Sequence, residues 1–357
     1  MEEKKDIVLI TGCTGTIGFR CAEKLSFEYK IIGVDVFLVG HLPGIDLVGI
    51  DLASEKNIEE HLDLILERFG NKIASVVHLA AYYNFSKGGW KKYQQITIDG
   101  TKNFIEGLLK RFEVGQFIFS SSMLVHAPCK KGEKINELSP IEPKWNYPKS
   151  KVITEDIVRG LKGKIPYVIL RIAGVYDDEC HSIPLAHQTQ RIYENKLEAH
   201  LFPGDLIHGA AFVHLEDAVE AIYLSIQKRK ELPEELVLLI GEPNTLSYGK
   251  LQEAISKEIF NKKWKTYQIP KLLAMVGAWI KQHIPFVKKG FIQPWMIPMA
   301  DDNYELDISQ AEKYLGWNPK KNLKDTIPKW IDLLKREPLA WYDINKLNFS
   351  GKVREHD

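Results

Sequence analysis

The apolar run Ile7-Val8-Leu9-Ile10 leads into Thr11-Gly12-Cys13-Thr14-Gly15-Thr16-Ile17-Gly18, and a helical pattern follows at once. Few folds accept a strand that turns through three glycines straight into a helix. Gly12 permits the tight turn, Gly15 lets backbone approach a pyrophosphate, and Gly18 lets the helix pack close to the strand. Backbone N–H groups at the helix N-terminus, around Thr14, Thr16 and Ile17, are then free to hold the anion. The glycines are three residues apart, unlike the commoner G-x-G-x-x-G, but the same physics applies. A glycine-rich turn without a ligand is the plain alternative; the placement and the next strand argue against it.

That next strand, Ile31-Ile32-Gly33-Val34-Asp35, ends in a carboxylate about 20 residues on, suited to the ribose hydroxyls of adenosine and repelling a 2′-phosphate. No Arg or Lys stands at 36–40. The expected cofactor is therefore NAD, not NADP. Asp51-Leu52 closes a further short strand. Asp51 either lies near the adenine amino group or sits in a surface turn.

Strand and helix patterns alternate through the first half. Candidate strands at 6–10, 30–36, 75–79, 116–120 and 167–172 are separated by helical stretches at 17–27, 58–69, 97–112 and 149–161. Near-continuous apolar strands between helices indicate a parallel sheet covered on both faces, an α/β doubly wound (Rossmann) architecture. With 357 residues, the chain suits one large domain or two joined lobes. We expect a dinucleotide lobe over 1–180 that regains 211–240, including a return of Ala211–Val213 to the sheet. A smaller, mostly helical substrate lobe is expected over 181–210 and 241–357.

Composition narrows the function. The 48 basic and 47 acidic side chains leave a net charge of +1 and no global field for nucleic acid. Cys13, Cys21, Cys129 and Cys180 form no C-x-x-C pair, as in a reduced, cytoplasmic protein. With His181 they are scattered, and no metal site is expected. The longest apolar run, Leu272–Ile280, falls well short of the roughly 20 residues a membrane-spanning helix needs. The start of the chain lacks a signal-peptide core.

Tyr147 and Lys151 stand i, i+4 at the start of a helical pattern, with Pro148 in its first turn. A phenol is a poor base at neutral pH, but a neighbouring ammonium stabilises the phenolate. Tyr147 would then serve as acid and base in an alcohol–carbonyl interconversion. The Y-x-x-x-K pattern alone is common by chance. Its position downstream of Ser120-Ser121-Ser122, at a strand end, gives it weight.

Together these segments resemble the extended short-chain dehydrogenase/reductases of the NAD-dependent epimerase/dehydratase family. The matches are Thr11-Gly12-x-x-Gly15-x-x-Gly18, Asp35, Asp51-Leu52, His78-Leu79-Ala80-Ala81, Gly100-Thr101-x-Asn103, Ser121-Ser122-x-x-Val125, Tyr147-x-x-x-Lys151, Arg171, Phe212-Val213-His214-x-x-Asp217 and Leu315-Gly316-Trp317-x-Pro319. The resemblance implies that Ser122 hydrogen-bonds the reacting oxygen and Tyr147 transfers the proton. Lys151 would hold Tyr147 and the nicotinamide ribose. Leu79, Ala80 and Ala81 would pass beside the cofactor, with His78 structural, and a homodimer would be usual.

Departures from the family bear on substrate. Gly174 stands where sugar-nucleotide members usually carry Asn, Ala210 where they carry an arginine for the diphosphate, and Thr97 where they carry a further Asn. A lost charge-assisted phosphate contact removes about 1.5–3 kcal/mol. Tyr82, Tyr83 and Phe85 are either packing or an apolar wall. The stretch 259–300 holds seven lysines among Trp264, Leu272, Leu273, Trp279 and Trp295, without Asp or Glu. It reads either as lobe core or as a peripheral membrane contact, and is similar to the C-terminal lobe of 3β-hydroxysteroid dehydrogenase-like members. The leading expectation is an NAD-dependent dehydrogenase of an apolar secondary alcohol or ketone, a small-molecule substrate. The alternatives are a sugar-nucleotide epimerase/dehydratase and a cofactor-binding regulator without turnover.

Overall fold

A computed structural model describes residues 5–38, 44–84, 89–283 and 291–349. The first half runs β1 (Ile7–Thr11), α1 (Thr16–Leu25), β2 (Lys30–Asp35), β3 (Ile45–Gly49), α2 (Glu55–Phe69), β4 (Lys72–Ile73) and β5 (Ser75–His78). A short α3 (Trp90–Lys92) passes through a π-helical stretch, Tyr93–Asp99, into α4 (Gly100–Arg111), then β6 (Glu113–Val114) and β7 (Phe117–Ser122). α5 (Asn146–Arg159), β8 (Tyr167–Ile172) and β9 (Gly174–Tyr176) follow.

The remainder comprises α6 (Ile183–Tyr193), β10 (Leu201–Pro203), β11 (Phe212–His214), α7 (Leu215–Gln227), β12 (Glu235–Ile240), α8 (Tyr248–Phe260) and β13 (Tyr267–Ile269). The last helices are α9 (Lys271–His283), α10 (Ser309–Leu315), α11 (Leu323–Arg336) and α12 (Pro338–Ile344).

Seven strands form a parallel sheet in the order β12-β8-β7-β5-β1-β2-β3. Side chains of β1, β7 and β8 are buried throughout, as a sheet sandwiched between helices requires. On one face Leu62, Phe104 and Leu108 pack on Phe117 and Ile169; on the other Cys21, Ala22, Ala218 and Ile222 pack on Ile10 and Leu170. Tyr304, Leu306, Ala311 and Trp317 join the second of these cores. A third cluster unites Tyr176, Leu185, Ile192, Ile255, Trp330 and Trp341.

The sheet order reverses at β1, so a crevice opens at the carboxyl ends of β1 and β5, where this architecture binds ligands. One local expectation fails. β11 does not rejoin the main sheet but pairs in parallel with β9. The six residues of β12 already occupy the flank of β8, leaving β11 no edge there.

Candidate active site

The glycine turn is held by its own backbone. Gly12 donates its N–H to Val34 O at 2.8 Å and adopts φ +70°; a Cβ there would stand 2.9 Å from Ala80 N. A Cβ at Gly18 would come within 2.0 Å of Gly12 O, so α1 can approach the turn only as glycine. Gly15 caps α1, and Gly15 and Thr16 are exposed, leaving the first N–H groups of the helix open to an anion. Asp35 is not idle: its Oδ2 accepts from Thr14 N at 3.0 Å and its Oδ1 from Val36 N at 2.8 Å. Val36 and Phe37 follow it exposed, and the sequence has no Arg or Lys at 36–40. The turn thus fits a dinucleotide: glycine where a Cβ would clash, open N–H donors, and a carboxylate at the end of β2.

Asp51 caps a turn through Ala53 N at 2.9 Å and is exposed, while the Leu52 side chain is buried. A recess of about 250 Å³ over Thr14, Gly15 and Thr16 is also lined by Asp177, Glu179 and His181. His181 Nδ1 lies 2.6 Å from Asp177 Oδ2, and that carboxylate raises the imidazole's pKa. Sequence reasoning missed these residues; no local pattern ties position 181 to position 15.

His78 has a defined tautomer. Thr101 Oγ1 donates to Thr97 O at 2.6 Å, so it must accept from His78 Nε2 at 2.9 Å. Nδ1 then accepts from Thr11 Oγ1 at 2.8 Å, and that oxygen accepts in turn from Ala80 N at 3.2 Å. Burial, with the Lys151 charge, lowers the imidazole to about 3, which keeps it neutral. The chain of bonds holds Leu79, Ala80 and Ala81 over Gly12. Among the described residues no His/Cys/Asp/Glu group is arranged to hold a metal.

The fold brings Ser122, Tyr147 and Lys151 together. Ser122 ends β7, and its side chain hydrogen-bonds Tyr147. Burial raises the phenol to about 12 against that bond. Lys151 Nζ donates to Ser120 O at 2.6 Å and lies 5.8 Å from the Tyr147 ring centroid. Its burial lowers the ammonium to about 7, opposed by the charge of Glu155. Glu155, one turn further along α5, grips Arg171, whose Nη1 lies 3.0 Å from His126 Nε2. No element of the sequence reading assigned Glu155 a part.

Aromatic rings surround Tyr147. Tyr83 meets it edge-on at 4.9 Å, Trp145 lies at 5.5 Å, and Trp145 in turn contacts Trp295 at 5.6 Å. Tyr82 turns to Tyr93 instead, at 4.9 Å. Phe85, grouped with these tyrosines in the sequence, lies outside the described residues, as do Phe286, Lys288 and Lys289.

The sequence offers Arg191 and Lys196 as basic residues that would compensate for the charge missing at Gly174 and Ala210. Gly174 packs under Phe212, and Ala210 bridges to Tyr304, so neither position carries charge. Lys196 is paired with Glu194 at 2.7 Å. Arg191 of α6 is partly buried, hydrogen-bonds Gln188, and among the described residues pairs with no carboxylate. Burial lowers its guanidinium to about 10, against the charge of Glu198, which is itself paired to Lys281 at 2.5 Å.

A family model described as the NAD dependent epimerase/dehydratase family matches residues 8–241. UDP-glucuronate 4-epimerase of Thermodesulfobacterium geofontis (strain OPF15) is 23% identical over 346 residues, covering 92% of this chain and 95% of that protein. Among solved structures, a UDP-glucose 4-epimerase from Thermus thermophilus in complex with NAD superposes with a TM-score of 0.69. It is 18% identical, over 93% of this chain and 99% of that one. A UDP-glucuronic acid 4-epimerase from Bacillus cereus, with UDP-glucuronic acid and NAD, gives 0.67 at 19% identity, over 92% and 99%. Since the family model spans most of the sequence, the chain belongs to the NAD-dependent epimerase/dehydratase family and is an enzyme whose cofactor is NAD.

Proposed function

We propose that this enzyme acts on a sugar nucleotide, as an epimerase or dehydratase that oxidises a secondary alcohol of the sugar and reduces the product again. One observation carries the reading: a UDP-glucuronate 4-epimerase aligns over 95% of its length, across the C-terminal lobe as well as the dinucleotide half. We assign the diphosphate contact to Arg191, which among the described residues pairs with no carboxylate. The reading replaces, as first choice, the apolar secondary alcohol expected from Gly174 and Ala210.

In the proposed mechanism Gly12, Thr14, Gly15, Thr16, Ile17 and Gly18 hold the cofactor's pyrophosphate, with Asp35, Asp51 and Leu52 at its adenosine end. Leu79, Ala80, Ala81, Tyr147 and Lys151 lie along its nicotinamide half. Bound NAD supplies the acceptor for hydrogen leaving the substrate carbon. Ser122 hydrogen-bonds the reacting oxygen. Tyr147 takes the hydroxyl proton as the carbonyl forms and gives it back on reduction. Against the burial that raises it, the Ser122 hydrogen bond lowers the phenol's pKa, and Lys151, 5.8 Å from the ring centroid, would lower it further when charged.

The test is incubation with UDP-glucuronic acid and NAD, followed by NMR of the sugar. We expect an epimer or a dehydrated sugar without accumulation of NADH. No conversion, and no thermal shift with UDP, UDP-glucose or UDP-glucuronic acid, would remove the reading.

A second reading, a dehydrogenase of an apolar alcohol, is favoured by α9. This helix turns Leu272, Leu273, Val276, Trp279 and Ile280 outward, with Leu272 70% exposed, while Lys271 and Lys281, themselves partly exposed, pair with Asp301 and Glu198. Among the described residues no helix is long and apolar enough to cross a membrane. For this inverted face, flanked by exposed Lys262, Lys263 and Lys265, we propose contact with an anionic lipid surface. A cytoplasmic homodimer, with the two lobes divided as the sequence indicates, completes the proposal; analytical ultracentrifugation reads the oligomeric state.

A further inference from the structure

The loop between β9 and α6 meets the glycine turn across a single recess. Asp177, the first residue after β9, organises that loop with both carboxylate oxygens. Oδ1 accepts from Glu179 N and from His181 N, each at 3.0 Å, and Oδ2 accepts from His181 Nδ1 at 2.6 Å. Cys180, just before His181, is buried at φ +69°, a left-handed conformation that a residue with a side chain keeps only where its surroundings impose it. The imidazole is thereby fixed opposite Thr14, Gly15 and Thr16, with which it lines the recess.

The bond to Asp177 decides what the other ring nitrogen can do. A carboxylate only accepts, so Nδ1 carries a proton. In the neutral ring Nε2 is then an acceptor, unfit for a phosphate oxygen; in the imidazolium it is a second donor. Among the described residues Nε2 has no hydrogen-bond partner, and the side chain is 31% exposed.

The charges around the ring are mostly paired among themselves. On its own loop Glu179 Oε2 stands 3.8 Å from Nδ1, and Asp178 turns away to His214 at 3.2 Å and Lys329 at 2.9 Å. Arg20 of α1 lines the recess but pairs with Glu23 at 3.0 Å, and Glu216 of α7 pairs with Lys321 at 2.6 Å. The Asp177 hydrogen bond raises the imidazole's pKa against the burial that lowers it; the Glu179 charge adds to the rise and Arg20 opposes it.

We infer that His181, as the imidazolium, donates through Nε2 to the pyrophosphate of NAD from the side opposite the backbone N–H groups of the glycine turn, and that cofactor affinity falls when this proton is lost. The inference rests on the placement of the pyrophosphate at that turn. Losing the proton removes a charge-assisted donor and leaves Asp177 and Glu179 uncompensated near an anion, so both effects weaken binding. Linkage gives the sign: bound NAD raises the pKa of the ring, and affinity is greatest below the free ring's pKa and declines as pH rises from there to the bound ring's.

Calorimetry with NAD at about pH 6 and about pH 9 compares wild type, His181→Gln, His181→Arg and Gly15→Asp. NMR of the histidine rings follows the His181 titration with and without NAD and needs no variant. We expect wild type to bind about tenfold more weakly at the higher pH. His181→Gln should bind weakly at both, His181→Arg tightly at both, and NAD should move the His181 titration to higher pH. A pH dependence retained in His181→Gln, equal affinity of wild type and His181→Gln at the lower pH, or a His181 titration unmoved by NAD would overturn the inference. Gly15→Asp separates the two failures. If it loses NAD while His181→Gln does not, the placement at the turn stands and His181 alone is struck; if it binds NAD as wild type does, the placement itself falls and the inference with it.

Discussion

Glu155 grips Arg171 with both carboxylate oxygens, Oε1 to Nε at 3.0 Å and Oε2 to Nη2 at 2.6 Å, and each side chain is only 4% exposed. The same Oε1 accepts from Ser121 Oγ at 2.5 Å, one residue before Ser122, and Glu155 lies one turn after Lys151. The pair therefore braces β7, β8 and α5 directly behind the proposed site. Burial pushes the Glu155 carboxyl upward, but the Arg171 bonds and charge, with Ser121 and Arg159, more than reverse it and leave it below its ordinary value.

Breaking this pair from one side strands a buried guanidinium. Glu155→Gln is expected to cost about 3–5 kcal/mol in urea unfolding. A carboxyl with a lowered folded pKa contributes fully above its unfolded value of about 4.3 and loses that contribution as pH falls through the folded one. Wild-type melting temperature should therefore drop more steeply than that of Glu155→Gln below about pH 4. Parallel pH profiles of melting would contradict the assignment.

Tyr147→Phe removes one oxygen and little volume. Turnover on a competent substrate should fall by about 10²-fold or more, with NAD affinity nearly unchanged. Rapid-quench kinetics and NAD titration read the two separately; a variant retaining most of its activity would dismiss Tyr147 as the proton carrier.

Asp35 ends β2 with no basic side chain after it. NAD should bind at least tenfold more tightly than NADP, a gap of about 1.4 kcal/mol. Asp35→Ser should narrow that gap, though it also frees Thr14 N–H. Titration calorimetry with both cofactors decides, and equal wild-type affinities would sink the role given to Asp35.

Arg191→Gln tests the diphosphate. Loss of a charge-assisted contact of about 1.5–3 kcal/mol should weaken UDP tenfold or more. Inorganic pyrophosphate should compete with UDP in wild type but not in the variant. UDP affinity equal in both proteins would free Arg191 from this part.

For α9, wild type should co-sediment with vesicles containing phosphatidylglycerol and much less with pure phosphatidylcholine, and salt should weaken the binding. Leu272→Glu combined with Trp279→Glu should abolish it. Wild type that leaves every vesicle in the supernatant would end the lipid proposal.

Local rules made the cofactor half legible from the chain alone. A strand, a glycine turn and a helix are neighbours in sequence, and the clashes that demand Gly12 and Gly18 arise within that unit and the adjoining strand end. Tyr147 and Lys151 share a helix face because four residues make about one turn. Ser122 was singled out by the family resemblance, with the serine run at a strand end as its local sign. The strand spans themselves followed from apolar runs buried on both faces.

Tertiary structure decided everything that joins distant segments. Trp145 meets Trp295, Glu155 meets Arg171 across α5 and β8, and His181 reaches the turn at Gly15, contacts that leave no periodicity to read. β11 was displaced from the sheet because a longer strand held the only edge beside β8. Along 271–283 the apolar run did not say which side chains would face solvent; in the structure Lys271 and Lys281 pair with Asp301 and Glu198, and Leu272, Leu273, Val276, Trp279 and Ile280 are exposed. Residue spacing reports which groups share one element. Which elements then face one another, and so what the site accepts beyond NAD, depends on packing that the order of residues does not display.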